Sequence, residues 1–415
     1  MPTPIARRPE PALSAALRGI PAPKVKAHPV EFTGSGGEYF KVWIVNVLLS
    51  VVTLGIYTPW ARRRTAQYFY GHTQIADSPL EFVAELRRMV FGFLVYFGFY
   101  AAYELAVYTE QDLATTLLAA AFAVLAPFVW ASAMRFRYRA TRWRGIRLAF
   151  VATWKEVYTA SWPVFVVAAV WVGVFFTAEA LTPDESWIKT WVIGQVDVPA
   201  MMWVLLGAAA LATLLCVIRL DFNYTRLRLS RVRMGGQMGR WKLGYASFLR
   251  VWLGALGIFL LGLPVLVAMW VGLSAVMYQA SRRLASPNGV VVVGLLMGVL
   301  TVLTLVLASL PARARREARV FQLVWNSAGF GQLVRTRTRL RTGAYLRLRV
   351  KNVLLSFLTL GFYRPFAMAS EYAAKVGSVS LYVKGQLDQL QGELVQEQGA
   401  FGDAAADAFG LDLIG

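Results

Sequence analysis

One cysteine, Cys216, and two histidines, His28 and His72, are all that a chain of 415 residues offers for thiol or imidazole chemistry. A lone cysteine excludes an internal disulfide and any cluster built on cysteine ligands. Cys216 lies in an apolar run and reads as a small packing residue. His28 falls in a Pro-rich stretch and His72 in the polar FYGHTQ of 69–74, so both read as structural or solvated rather than as metal ligands. Charge is scarce too: Asp, Glu, Lys and Arg make up 16% of the chain, against about 25% in a typical soluble domain. A soluble enzyme has to cover its surface with charge, and a disordered chain needs low hydrophobicity, so neither class fits. Residues 1–36 carry repeated prolines, five basic side chains and no apolar core of signal-peptide length. They are expected to form a disordered, basic cytoplasmic tail. No G-x-x-x-x-G-K-[ST], H-E-x-x-H or G-x-S-x-G motif occurs. The expectation is a protein that is not an enzyme and carries no metal or cofactor.

What is abundant is apolar sequence, 57% of the residues. A helix rises about 1.5 Å per residue, so about 20 residues cross a bilayer. Six runs of that kind fall into three close pairs: 89–109 with 113–134, 161–181 with 199–220, and 251–278 with 289–311; the run 251–278 is long enough to tilt, or to kink at Pro264. Of the 43 Lys and Arg residues, 31 lie in the segments between these pairs, at 61–88, 135–157, 219–250 and 312–351. Basic loops stay in the cytoplasm, so each pair reads as a hairpin that leaves and returns to that side. The acidic residues of 386–415 read as a separate C-terminal tail.

Two further apolar runs frame the three pairs, and they are near copies. Residues 46–61 (NVLLSVVTLGIYTPWA) and 352–367 (NVLLSFLTLGFYRPFA) agree at eleven of sixteen positions, at a constant offset of 306. Gly37 and Tyr39 are echoed by Gly343 and Tyr345. This reads as an internal repeat, with copies at 37–61 and 343–367. Gly55 with Pro59, and Gly361 with Pro365, mark a helix break. The runs either re-enter on the side they left or span outright. Short β-favouring stretches such as 147–150 and 380–383 follow several helix exits and read as strand-like cytoplasmic elements. The fold class expected is an all-α polytopic membrane protein: three transmembrane hairpins, framed by the two duplicated segments, in one integral membrane domain over 37–385.

The pattern from Phe32 to Trp60, F-T-G-x-G-x-Y-F…N-x-L-L-S-x-x-T-L-G-I-Y-x-P-W, and RYRATRWRGIRLAF at 137–150 resemble the YjgN-like family of bacterial inner-membrane proteins. The resemblance covers most of the chain and implies a multi-pass bacterial inner-membrane protein with basic loops in the cytoplasm. It supplies no catalytic or binding residues. The second copy departs from the pattern: Phe366 stands where the first has Trp60, and Met368, Ala369 and Ser370 stand for Arg62, Arg63 and Arg64.

Candidate functional residues are few. Glu104, inside an apolar run, is either a site for a proton or cation or an interfacial carboxylate touching water; Glu179, near a run's outer end, favours the second reading. Asn46 and Asn352, the polar residues shared by both copies, cap backbone groups where a helix breaks or bridge two helices, the favoured structural role, or else join Glu104 in a solute site. Arg62, Arg63, Arg64, Arg142, Arg144 and Arg147 are candidate contacts for anionic lipid headgroups. Their position beside apolar runs argues against nucleic acid. Two functions remain open: passage of a small solute, favoured by analogy with repeat-built transporters, and a non-enzymatic scaffold that binds lipid or a partner through a basic face. Protein partners and oligomeric state are open.

Overall fold

The structure, a computed structural model, describes residues 25–181, 200–283, 287–331 and 334–384, together with residue 392. The expected tail before residue 25, the link 182–199 and, apart from residue 392, the acidic tail lie outside them. Part of the expected N-terminal tail is ordered structure: Val25–Phe32 forms strand β1.

Helices and strands alternate in one recurring order. β1 leads into α1 (Gly36–Val52) and α2 (Thr58–Gly71), then β2 (Thr73–Ile75) and β3 (Ser78–Phe82). Next come α3 (Leu86–Tyr108), α4 (Asp112–Ala140), β4 (Thr141–Trp143) and β5 (Ile146–Phe150). The third unit holds α5 (Trp154–Ala160), α6 (Trp162–Leu181), α7 (Ala200–Ser230), β6 (Val232–Met234) and β7 (Gln237–Trp241). The fourth holds α8 (Tyr245–Arg283), α9 (Pro287–Ser327), β8 (Ala328–Phe330) and β9 (Val334–Thr338). The last holds α10 (Thr342–Leu358), α11 (Arg364–Val376) and β10 (Val379–Lys384). At each of the five entries into a helical hairpin the helix starts four residues after its strand ends: Phe32 to Gly36, Phe82 to Leu86, Phe150 to Trp154, Trp241 to Tyr245 and Thr338 to Thr342.

The ten strands close into one antiparallel barrel, in the order β1-β10-β9-β8-β7-β6-β5-β4-β3-β2. This overturns the all-α expectation. Short strand-like elements were legible, but not that each pairs with the next. The pairing has a local cause. Ala76 and Asp77, with φ of 49° and 60°, and Arg144 and Gly145, with φ of 48° and 80°, form two-residue turns of the left-handed kind that matches strand twist. The last pair, β1 with β10, is not a local hairpin; it joins Val25–Pro29 to Ser380–Lys384.

Strand alternation sorts the side chains into two sets. Inward, Trp143, Ile146, Met234, Val334 and Val383 pack together, with Ile75, Leu80, Leu148, Phe330 and Leu381 against them. Every strand but β1 and β7 contributes, and the lumen is a packed core rather than an open bore. Outward, cross-strand register places Arg142 beside Arg147, Arg233 beside Ala149, and Arg240, Arg335 and Arg337 on the same outer wall.

Among the described residues five helices, α3, α4, α7, α8 and α9, are long and apolar enough to cross a membrane. The bent pair α5–α6, turning by 45°, makes a sixth if it is one broken span rather than a re-entrant loop. The six expected runs fall on α3, α4, α6, α7, α8 and α9, and Pro264 lies inside α8. Hairpins α1–α2 and α10–α11, which carry the two near-copied segments, are shorter. The closed order of the barrel makes them neighbours. Phe40 stacks on Phe366 at 5.7 Å and Trp43 meets Phe362 edge-on at 6.4 Å. Gly36 permits this contact, since a Cβ there would stand 2.8 Å from Phe366 Cδ1.

Candidate functional site

The two break motifs adopt one backbone geometry. Leu54 and Leu360 take left-handed φ of 50° and 49°, followed by Gly55 and Gly361 at 88° and 93°. The Gly55 amide donates to Ser50 O at 2.7 Å and the Leu54 amide to Val51 O at 3.1 Å; Gly361 and Leu360 do the same to Ser356 O and Phe357 O. That bond pattern is a Schellman helix stop. Pro59 and Pro365 then open the returning helix, where a missing amide costs nothing. Leu54 and Leu360, at the hairpin tips, are about nine-tenths exposed, at 93% and 90%.

Asn46 and Asn352 are buried, and each ties the two helices of its own hairpin together. Asn46 Nδ2 donates to Ala61 O at 3.3 Å, and Asn352 Nδ2 to Ala367 O at 3.3 Å. Asn352 Nδ2 also lies 3.1 Å from Ser370 Oγ and 3.0 Å from Glu371 Oε1. Glu104 is exposed on α3 and interacts with Tyr100, one turn earlier. No hydrogen bond among the described residues joins Glu104 to either asparagine. The Glu179 side chain lies outside the described residues. Asn352→Leu is expected to cost about 2 kcal/mol or more and Asn46→Leu about 1 kcal/mol, in proportion to the partners lost. Apparent melting temperatures in detergent would check the order.

Sequence reasoning did not find the network around Asn352. Arg349 pairs with Glu371 and Lys375 with Glu317. Tyr345, 1% exposed, lies under Lys375 Nζ at 5.3 Å. Burial, with the Glu317 and Glu371 carboxylates alongside, pushes the Tyr345 phenol well above its ordinary value, so it stays protonated. At the offset of 306 the first copy has Trp43, Thr65 and Phe69 where the second has Arg349, Glu371 and Lys375. There the space is filled by rings: Tyr39 lies 4.7 Å from Phe69 and 5.2 Å from Tyr68. One backbone thus holds an aromatic filling in one hairpin and an ionic filling in the other.

The candidate lipid contacts divide into two groups. Arg62 and Arg64 are exposed on α2, close to its tip, and Arg64 Nη1 donates to the Tyr57 hydroxyl at 3.2 Å. Arg144 is committed to structure: its Nε reaches Ser78 Oγ at 2.7 Å and its Nη2 Ala76 O at 2.8 Å, locking one hairpin turn to the next. Arg142 and Arg147 face each other across β4 and β5 on the outer wall. They line a cavity of about 680 Å³ where the barrel meets the ends of α3 and α4. Arg88, Arg135, Arg139 and Arg233 line it too. Those four come from a helix start, a helix end and another hairpin, so only the closed barrel brings them together. Arg88 bridges to Glu85 at 2.7 Å. Arg135 donates to Ala152 O at 2.8 Å and lies 3.9 Å over the Trp154 ring. Among the described residues no three His, Cys, Asp or Glu side chains are grouped to hold a metal ion.

The family model of DUF898, described as a bacterial protein of unknown function, matches residues 27–408. The chain is 30% identical over 163 residues to the inner membrane protein YjgN of Escherichia coli O157:H7, which is 39% of this chain and 41% of that protein. It is 27% identical over 151 residues to YjgN of Salmonella typhimurium strain LT2, 36% of this chain and 38% of that one. The match thus spans about two fifths of the length of these curated relatives. No solved structure matches the chain.

Proposed function

The chain belongs to the DUF898 family of bacterial proteins of unknown function, and from that premise we propose a multi-pass inner-membrane protein that is not an enzyme and that holds anionic lipid headgroups against a basic cytoplasmic barrel. The inner-membrane location follows the relatives named inner membrane protein YjgN and the apolar helices. The observation that carries the reading is the placement of charge. Arg142, Arg147, Arg233, Arg240, Arg335 and Arg337 all stand on the outer wall of one small barrel. The helices that leave this barrel are the apolar ones, so that wall lies at the depth of the headgroups. Cationic side chains there each gain about 1 kcal/mol from an anionic leaflet.

The two short hairpins support the same reading. Their tips expose Val52, Leu54 and Ile56, and Leu358, Leu360 and Phe362. Arg62 and Arg64 follow one tip, and Arg364 stands at the other. An apolar tip with a basic collar enters the headgroup boundary and stops there. In this arrangement hairpins α1–α2 and α10–α11 re-enter side by side, and the other three span.

The test uses the full-length protein, delipidated in a neutral detergent, and titrates phosphatidylglycerol against phosphatidylcholine. Phosphatidylglycerol is expected to bind more tightly, by a margin that shrinks as salt rises. Arg240→Gln/Arg335→Gln/Arg337→Gln should narrow the margin severalfold. Equal binding of both lipids by the wild-type protein would defeat the reading.

A further inference from the structure

Beyond a generally basic wall, we propose that the cavity between β4–β6 and the ends of α3 and α4 is a discrete binding site for a phosphate group. The proposal deepens the headgroup reading and rests on it for the source of the ligand, but not for the chemistry of the pocket.

Three features separate this cavity from the rest of the outer wall. The first is charge density. Six arginines line about 680 Å³ with one acidic residue in the lining, Glu85, and Glu81 on β3 stands across from Arg142. Glu85 is spoken for by Arg88. Like charges packed so closely repel, and an anion between them relieves that repulsion. The second is the residue type. All six cations are arginines and none is lysine. The planar guanidinium forks onto phosphate oxygens with two parallel donors, which an ammonium cannot do.

The third is support. Arg135 is held in place by Ala152 O and by the Trp154 ring, so its remaining donors are offered in a fixed orientation. Arg142 Nε is sealed from solvent with no hydrogen-bond partner. Arg142, Arg147 and Arg233 rise from adjacent strands whose register is fixed by pairing. A site assembled on strands is held more firmly than one on loops.

Depth fixes the ligand class. Arg88 lies in the first turn of α3, a 23-residue helix, and Arg135 and Arg139 in the last two turns of α4, a 29-residue helix. At about 1.5 Å per residue both helices cross a bilayer of about 30 Å and bring these arginines to its polar edge. A phosphate group at that level comes either from a lipid headgroup or from a small soluble phosphate. Both carry the oxygens that the guanidinium groups match.

The experiment takes the full-length protein in neutral detergent at about 0.5 M salt, where attraction to exposed charge is screened. Three probes are compared: inorganic phosphate by calorimetry, and phosphatidic acid and phosphatidylcholine by native mass spectrometry. At least one anionic probe is expected to bind saturably, one per chain. Phosphatidic acid alone identifies a lipid site, and inorganic phosphate alone or alongside identifies a site for the group itself. Arg142→Gln/Arg233→Gln should weaken that binding by about tenfold or more, since each charged hydrogen bond lost is worth about a factor of ten. Arg142→Lys/Arg233→Lys keeps the charge and controls for folding; it should retain part of the affinity. Arg313→Gln/Arg315→Gln, exposed on α9 and outside both the cavity and the barrel wall, should change it by less than about twofold. If phosphatidylcholine binds as well, or if the two Gln pairs weaken binding equally, the cavity is no site, while the general headgroup reading stands. If neither anionic probe binds, the proposal falls.

Discussion

Trp143→Ala is expected to destabilise the protein by about 3–5 kcal/mol, the largest effect of any single change in the barrel. The indole is 8% exposed and packs in the core cluster of the lumen. It faces Leu80 across one strand boundary and Ile146 across the other. Its Nε1 donates to Ile75 O at 3.2 Å, so alanine loses a bond as well as a ring. The short strands offer little to compensate: β4 has three residues. Thermal unfolding in detergent, followed by size-exclusion chromatography, would show the shift. Trp171→Ala is the control. That ring is 45% exposed on α6 and bonds to Thr213 Oγ1 at 3.0 Å, and its loss should cost about 1 kcal/mol or less. The same variant separates the two functional readings. A solute path through the lumen would leak small osmolytes from vesicles once the indole is gone; the headgroup reading expects no leak above wild type.

Gly239→Ala ranks second, at about 1–3 kcal/mol or more, and through the opposite fault. Gly239 sits on β7, paired with Phe330, and its missing side chain would point inward. A Cβ there would collide with the carbonyl oxygen of Leu229, and would stand 2.7 Å from Val232 Cγ1. The carbonyl belongs to the last turn of α7, so relief requires the helix end to move off the sheet. Gly254→Ala, inside α8 with open space around it, should instead be neutral or stabilise by up to about 1 kcal/mol. Melting temperatures of the two variants should move in opposite directions.

Much of the helical frame was legible because its signal is local and redundant. A run such as 113–134 needs only length and hydropathy, and α4 contains it. The barrel was not legible because its signal is short and dispersed. Thr141–Trp143 and Val232–Met234 are three residues each, too few for alternation to declare a strand, and their partners are set by the closure of the ring. A clue lay in the spacing: each strand end precedes its helix by four residues, five times over. The candidate site was half legible. Arg142 and Arg147 stand in one hairpin and were read together. Arg88 and Arg233 lie 54 residues before and 91 residues after Arg142, and nothing local connects them. Asn46 and Asn352 were conspicuous as repeated polar residues, and of the roles open to them they take the structural one, bonding backbone across the two helices of their own hairpins.

The pairing of β1 with β10 has a consequence for biogenesis. Four of the five strand hairpins form from neighbouring sequence, and each can zip as it emerges from the ribosome. The fifth joins residues 25–29 to 380–384, so β1 must wait for almost all of the chain to be made. At about 5–20 residues per second that interval is on the order of 20–70 s. Throughout it the sheet is incomplete and has two open edges, and unpaired edges recruit other strands. On the multi-pass reading proposed above, the membrane limits the hazard, since helices already inserted would tether the growing barrel at the surface.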